Sequence, residues 1–281
     1  MKPLDGFHVL GLAINLPGPL ALARLADWGA AVTKIEPPEG DPLALWCREW
    51  YATICGGFEV LTLNLKQAGD FEKLDALLGS ADLLLTANRP ASLGRLGLDW
   101  PGLHARFPRL CYVGIVGFPH PRENVPGHDL TYQVGLDLVA PPSLPRALVA
   151  DIAGAQQAAA EGMALLMARE RGQGAGHTSV ALSDAGTAFA ESLRRGLTAP
   201  GGLLGGGLAN YNIYPAQSGY VAVAALERHF RARLLSELGL SAGTAEELAA
   251  AFLTRSAAEW EDWAQAHDLP LAAIEMDTAI P

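Results

Sequence analysis

The chain has 281 residues, of which 50% are hydrophobic and 18% charged, with a formal net charge of −10. That balance supports a sizeable core, in one large domain or two ordinary ones, and excludes wholesale disorder. It also lacks the basic face that a phosphate backbone needs, so nucleic acid is not an expected partner, and an anionic membrane surface is disfavoured. No apolar run is long enough to span a bilayer, since the Ala-rich stretch after Asp151 is broken by Gln156, Gln157 and Glu161. Residues 1–6 lack the apolar core of a signal peptide. Cys47, Cys55 and Cys111 are far apart and show no metal-ligand spacing. The expectation is reduced thiols, no metal and a cytoplasmic location.

In chain order, residues 7–12 read as a buried strand and 17–28 as a helix, with Pro17 near its start and Gly29 after its end. A strand follows over 31–36, then a Pro/Gly loop over 37–40. Further strands are predicted at 61–65, 82–87 and 110–116, with a helix over 67–78. Proline and glycine crowd 117–127, which reads as an exposed loop. A long Ala-rich helix is predicted over 152–171 with Asp151 as its N-cap. A strand over 177–182 and a helix capped by Ser183 and running to about Arg195 come next. The run Gly201-Gly202-Leu203-Leu204-Gly205-Gly206-Gly207 reads as a hinge. Beyond it, a strand over 220–224 precedes helices over 228–238, 246–253 and 257–267. The alternation predicts an α/β fold: a Rossmann-like, mainly parallel sheet in a large domain of residues 1–200, and a smaller α+β domain of residues 201–281.

Two short stretches carry the chemistry. Gly127-His128-Asp129-Leu130-Thr131-Tyr132 sets a histidine beside an aspartate after the Pro/Gly loop, and Ala150-Asp151 sets an aspartate at the mouth of the Ala-rich helix. Each has a plainer use alone: an aspartate before a helix caps it, and a loop histidine is often only polar surface. The usual α/β rivals lack their signatures. The turn Ile14-Asn15-Leu16-Pro17-Gly18-Pro19 is no dinucleotide-binding glycine loop. No histidine pair brackets a carboxylate at metal-binding spacing, and no Gly-x-Ser-x-Gly elbow is present. One basic island stands out in this acidic chain: Arg89, Arg95, Arg106 and Arg109, with Asp99 the sole acid among them.

The stretch 25–41, with Lys34-Ile35-Glu36-Pro37 in it and Gly40-Asp41 at its end, resembles the class III coenzyme A transferase family. So do Asn64-Leu65-Lys66, Asn88-Arg89-Pro90, Pro108-Arg109-Leu110, Gly127-His128-Asp129, Ala150-Asp151 and the run 219–227. The likeness covers most of the chain, in order. The family includes formyl-CoA transferase, carnitine and bile-acid CoA transferases, and 2-methylacyl-CoA racemase. Its transferases usually have tyrosine before the loop aspartate, whereas racemases have histidine, as His128 here.

What this resemblance implies is an acyl-CoA enzyme whose coenzyme A thioester is the substrate, with no permanently bound cofactor. Proton transfer at the α-carbon needs one group on each face, and His128 and Asp151 are expected to supply them. Asp129 is counted with the catalytic set, and Glu227 is expected to orient the imidazole. Free N–H groups at the start of the Ala-rich helix, next to the small Ala153 and Gly154, are expected to hold the enolate oxygen. Lys66, Arg89 and Arg95 are expected to contact the nucleotide end of coenzyme A, Tyr132 to line the pantetheine path, and Leu65 and Asn88 to join the same coenzyme A-binding set. Arg106 and Arg109 are expected to pair with surface carboxylates. Two other functions stay open: CoA transfer through an anhydride at Asp151, and a non-catalytic relative with weakened coenzyme A binding, because 53–60 carries no positive charge where relatives are basic. A homodimer, interlocked in relatives, is implied as well. So is a shortened C-terminal segment returning to the large domain.

Overall fold

The computed structural model describes residues 2–275; the return segment expected near Pro281 falls partly outside them. The chain divides into two compact units, Met1–Ala190 and Glu191–Pro281, so the boundary precedes the glycine-rich run.

The first unit runs β1 (His8–Leu12), α1 (Pro17–Asp27), β2 (Ala31–Glu36), α2 (Pro42–Trp46), α3 (Arg48–Cys55), β3 (Glu59–Thr62), α4 (Ala68–Ser80), β4 (Leu83–Thr86), α5 (Pro90–Arg95), α6 (Trp100–Arg106), β5 (Cys111–Val116), α7 (Asp129–Gly135), α8 (Val149–Ala168), β6 (His177–Ala181) and α9 (Leu182–Ala185); α10 (Thr187–Arg194) straddles the boundary. Its six strands form one sheet in the order β3-β2-β1-β4-β5-β6, every pair parallel. Alternate residues of the strands feed opposite faces. Val9, Val32, Leu83, Leu85 and Val113 pack with Ala21, Leu22 and Leu25 of α1 and with Ala155, Ala158, Ala159 and Leu166 of α8. Leu10, Ile35 and Leu84 pack instead with Leu74 and Leu78 of α4, Leu93 of α5 and Leu103 of α6. The strand order reverses between β1 and β4, which opens a crevice at the carboxyl ends of the strands.

A buried ionic network stiffens that crevice. Lys34 is fully buried on β2, and its Nζ lies 2.6 Å from Glu36 Oε1 and 2.5 Å from Asp41 Oδ2. Tyr51 of α3 donates to the same Glu36 oxygen at 2.6 Å. Asp41 Oδ1 accepts from the N–H groups of Leu43 (2.9 Å) and Asn15 (3.0 Å). Asn15 has φ 67°, a left-handed conformation that asparagine tolerates better than most residues, and the bond its N–H donates to Asp41 holds the β1–α1 turn there.

Local corrections follow from where the caps are. The Ala-rich helix begins at Val149, and its N-cap position is Leu148, so Asp151 is not the N-cap. The element after β6 starts at Leu182 with Ala181 at the N-cap position, so Ser183 does not cap it, and Gly186 separates α9 from α10.

The second unit holds an antiparallel sheet in the order β7-β8-β9, with β7 at Tyr211–Pro215, β8 at Tyr220–Ala224 and β9 at Leu271–Ile274. Helices α11 (Arg228–Leu238), α12 (Ala245–Phe252) and α13 (Ala257–Ala266) complete it. Its core joins Val221 and Val223 to Leu234, Leu248, Phe252 and Trp260. The run over 201–207 forms a glycine turn, Leu203–Gly207, in which Gly206 has φ 99°.

Candidate active site

His128 ends the 117–127 loop and takes the N-cap position of α7. Its N–H donates to Thr131 Oγ1 at 3.1 Å, and its carbonyl accepts from the Thr131 N–H at 2.8 Å. His128 is exposed, whereas the next residue, Asp129, is buried. Together with Asp151, Tyr132, Arg89, Asn15 and Glu123, His128 lines a cavity of about 150 Å3.

Asp151 lies in the first turn of α8, and the helix is capped from a distance. Asp129 Oδ1 accepts from the N–H groups of Ala150 (2.8 Å) and Asp151 (3.1 Å). Asp129 Oδ2 accepts from Gln133 Nε2, which also donates to the Ala147 carbonyl at 2.7 Å. With both oxygens engaged, Asp129 clamps α7 to α8. The expected oxyanion donors need correction: Asp129 occupies two N–H groups of the first turn, and Ile152 N–H bonds the Leu148 carbonyl at 3.0 Å. Gly154 does not leave room for substrate either. A Cβ there would collide with Leu182 Cδ2, so its smallness lets α8 pack on α9.

Burial, and secondly the charge of Asp129, raise the Asp151 carboxyl to about 7. Tyr132 is raised to about 12, mainly by burial and then by the charges of Asp151 and Asp129. Its ring packs edge-on to Phe118, with centroids 5.2 Å apart. Gly117 and Gly127 close on the same ring: a Cβ at Gly117 would lie 2.5 Å from the Tyr132 hydroxyl, and one at Gly127 would lie 2.6 Å from its Cε1.

A larger cavity of about 520 Å3 occupies the crevice at the ends of β1 to β4, and Leu65, Lys66, Asn88 and Arg95 line it. Ile14 belongs to the walls of both cavities, so the two adjoin. Among the described residues Lys66, Arg89 and Arg95 enter no ion pair, whereas Arg106 contacts both Asp75 oxygens (2.7 and 2.9 Å) and Arg109 lies 3.8 Å from Glu170. Arg89 was expected at the nucleotide end, but it lies on the wall of the smaller cavity. Glu227 belongs to the second unit, exposed at the N-cap position of α11, where its side chain makes no capping bond. Among the described residues no cluster of three potential metal ligands occurs, and no helix is long and apolar enough to cross a membrane.

The sequence reading passed over Asn15, Glu123 and the Lys34 network. For Lys34, Glu36 and Asp41 a signal was present, because an unbroken strand pattern containing two charges implies that both are paired inside.

A parallel sheet of this order, with two adjoining cavities at its switch point and basic side chains around the larger, defines an α/β protein with a divided small-molecule site. The chain belongs to CoA-transferase family III, whose model matches residues 4–279. Succinyl-CoA–D-citramalate CoA-transferase of Chloroflexus aurantiacus is 34% identical over 42% of this chain and 31% of its own length. Human alpha-methylacyl-CoA racemase is 29% identical over 84% of this chain and 65% of its own length. The crystal structure of a hypothetical protein (Rv3272) from Mycobacterium tuberculosis superposes with a TM-score of 0.84 at 25% identity, over 97% of this chain and 84% of that one. The chain spans 31%, 51% and 47% of the lengths of three curated transferases that it matches.

Proposed function

We propose that the protein acts on acyl-CoA thioesters and moves a proton at the α-carbon, in the manner of a 2-methylacyl-CoA racemase. The observation that carries this reading is that His128 and Asp151 line one cavity, with the Asp151 carboxyl raised to about 7. A carboxyl poised there takes and returns a proton at neutral pH, as general acid–base catalysis requires. In one direction ionised Asp151 removes the α-proton and leaves an enolate, and protonated His128 delivers a proton to the opposite face. Each group ends in the other's protonation state, and exchange with water restores both. The Arg89 guanidinium and the Asn15 side chain, on the same wall, supply charge and donors for the enolate oxygen in place of the occupied N–H groups of α8. Lys66 and Arg95 attract the phosphates of coenzyme A in the adjoining crevice. Glu227 remains a proposed partner of the imidazole, and a homodimer the proposed assembly.

Coenzyme A transfer is the second reading, favoured by the transferases among the relatives. There Asp151 would attack the thioester carbonyl and expel the coenzyme A thiolate as a mixed anhydride forms. Incubation of a 2-methylacyl-CoA in deuterated water separates the two. Proton transfer gives α-deuterium without an acceptor acid, and His128→Ala abolishes it. Hydroxylamine trapping at Asp151 without α-exchange would overturn the proposal in favour of transfer.

A further inference from the structure

The buried Lys34 network reaches the larger cavity through one oxygen that neither reading uses. Glu36 ends β2 and lines that cavity. Its side chain is only 9% exposed. Its Oε1 accepts from the Lys34 ammonium and the Tyr51 hydroxyl, each at 2.6 Å. Its Oε2 has no hydrogen-bond partner among the described residues and is not sealed from solvent. Two carboxylates face the single Lys34 ammonium, which leaves one negative charge uncompensated in the cluster. Both Asp41 oxygens are engaged, Oδ1 by two backbone N–H groups and Oδ2 by Lys34. The unspent acceptor is therefore Glu36 Oε2. The bonds at Oε1 fix the carboxylate before a ligand arrives, and a preorganised acceptor loses little freedom on binding.

We propose that Glu36 Oε2 accepts a hydrogen bond from the exocyclic amino group of the adenine of coenzyme A, making Glu36 the residue that reads the base. This rests on the coenzyme A reading of the larger cavity. A carboxylate only accepts hydrogen bonds, so its partner is a donor. The same charge repels phosphate, and the ribose 2′-hydroxyl sits next to the 3′-phosphate. The amino group is the donor set apart from the phosphates, across the purine ring. Pantetheine amides are donors too, but that arm leads to the smaller cavity, which Glu36 does not line. Pro37, Leu63, Leu65 and Leu96 give the larger cavity apolar surface for the flat ring, and Lys66 and Arg95 are left for the phosphates.

Calorimetry compares coenzyme A with two analogues: one whose base is purine, lacking the amino group, and one whose base is hypoxanthine, with a carbonyl oxygen in its place. The parent protein is expected to bind coenzyme A about 10-fold tighter than the purine analogue, as a hydrogen bond to a charged group predicts. In Glu36→Gln, Lys34 and Tyr51 both donate, so they hold the amide oxygen and turn its NH2 into the cavity, where an acceptor becomes a donor. There the preference over the purine analogue falls to about 1, and the hypoxanthine analogue binds at least as tightly as coenzyme A. Equal binding of coenzyme A and the purine analogue by the parent overturns the proposal and leaves the coenzyme A reading standing, as does a preference that survives Glu36→Gln. Should that variant not fold, a crystal structure of the parent with coenzyme A decides: Oε2 within hydrogen-bond distance of the amino nitrogen supports the assignment, and any other partner for that nitrogen overturns it. If none of the three ligands binds, the coenzyme A reading fails and takes this proposal with it.

Discussion

Asp151 concentrates the electrostatics of the site. Its carboxyl is raised to about 7 because burial and, secondarily, the Asp129 charge disfavour its anion. A group whose pKa is raised on folding favours the folded state while protonated. That contribution is complete below the ordinary carboxylate value near 4 and is lost as pH climbs through about 7. Asp151→Asn removes the titration. Thermal melts of parent and variant are therefore expected to lie close at pH 4 and to separate up to pH 8, with the variant more stable; a gap that does not change with pH would refute the assignment. Little of this was legible in sequence. His128 and Asp151 could be nominated from their motifs, but the raised carboxyl depends on Asp129 and on burial, which no local pattern reveals. Glu123 escaped for a different reason: in a loop of proline, glycine and charge it resembles any solvated glutamate.

Among the elements, α8 shows why boundaries are hard to read. Its first turn is stabilised by the side chain of Asp129, far away in sequence. The nearest acidic residue, Asp151, therefore looks like the cap when it is not. Asp129→Ala strands two backbone N–H groups and the Gln133 amide, so urea unfolding is expected to show a loss of about 1–3 kcal/mol. A change under about 0.5 kcal/mol would mean that the clamp is dispensable. Strand β5 was readable because apolar side chains dominate it, and α11 matched its predicted span. The five-residue α2 and the six-residue α5 were missed because each opens on proline, which in so short a segment reads as loop, although proline is well tolerated in a first turn. The edge strand β9, Leu271–Ile274, carries two alanines and no aromatic residue, so propensity gave no cue.

For the whole chain, the α/β alternation implied a parallel sheet, and that sheet places the crevice at its reversal point. The division into two adjoining cavities was not implied, because Ile14, which lines both, sits in a turn held by a bond from Asn15 N–H to the distant Asp41. Lys66 and Arg95 stand at the larger cavity without carboxylate partners among the described residues, in a chain of net charge −10. Lys66→Ala and Arg95→Ala are each expected to weaken coenzyme A binding about 3–10-fold at low ionic strength, with the loss shrinking as salt screens the phosphates. Calorimetry across a salt series checks this, and salt-independent losses would point to packing instead. The clamp at Asp129 reaches further than the helix it caps. Because Asp129 fastens α7 directly to α8, and Gln133 secures the chain at Ala147, the largely exposed residues 138–146 are relieved of holding the two helices in register. That span can therefore be lengthened, shortened or replaced by a grafted peptide while the junction of α7 and α8 stays anchored.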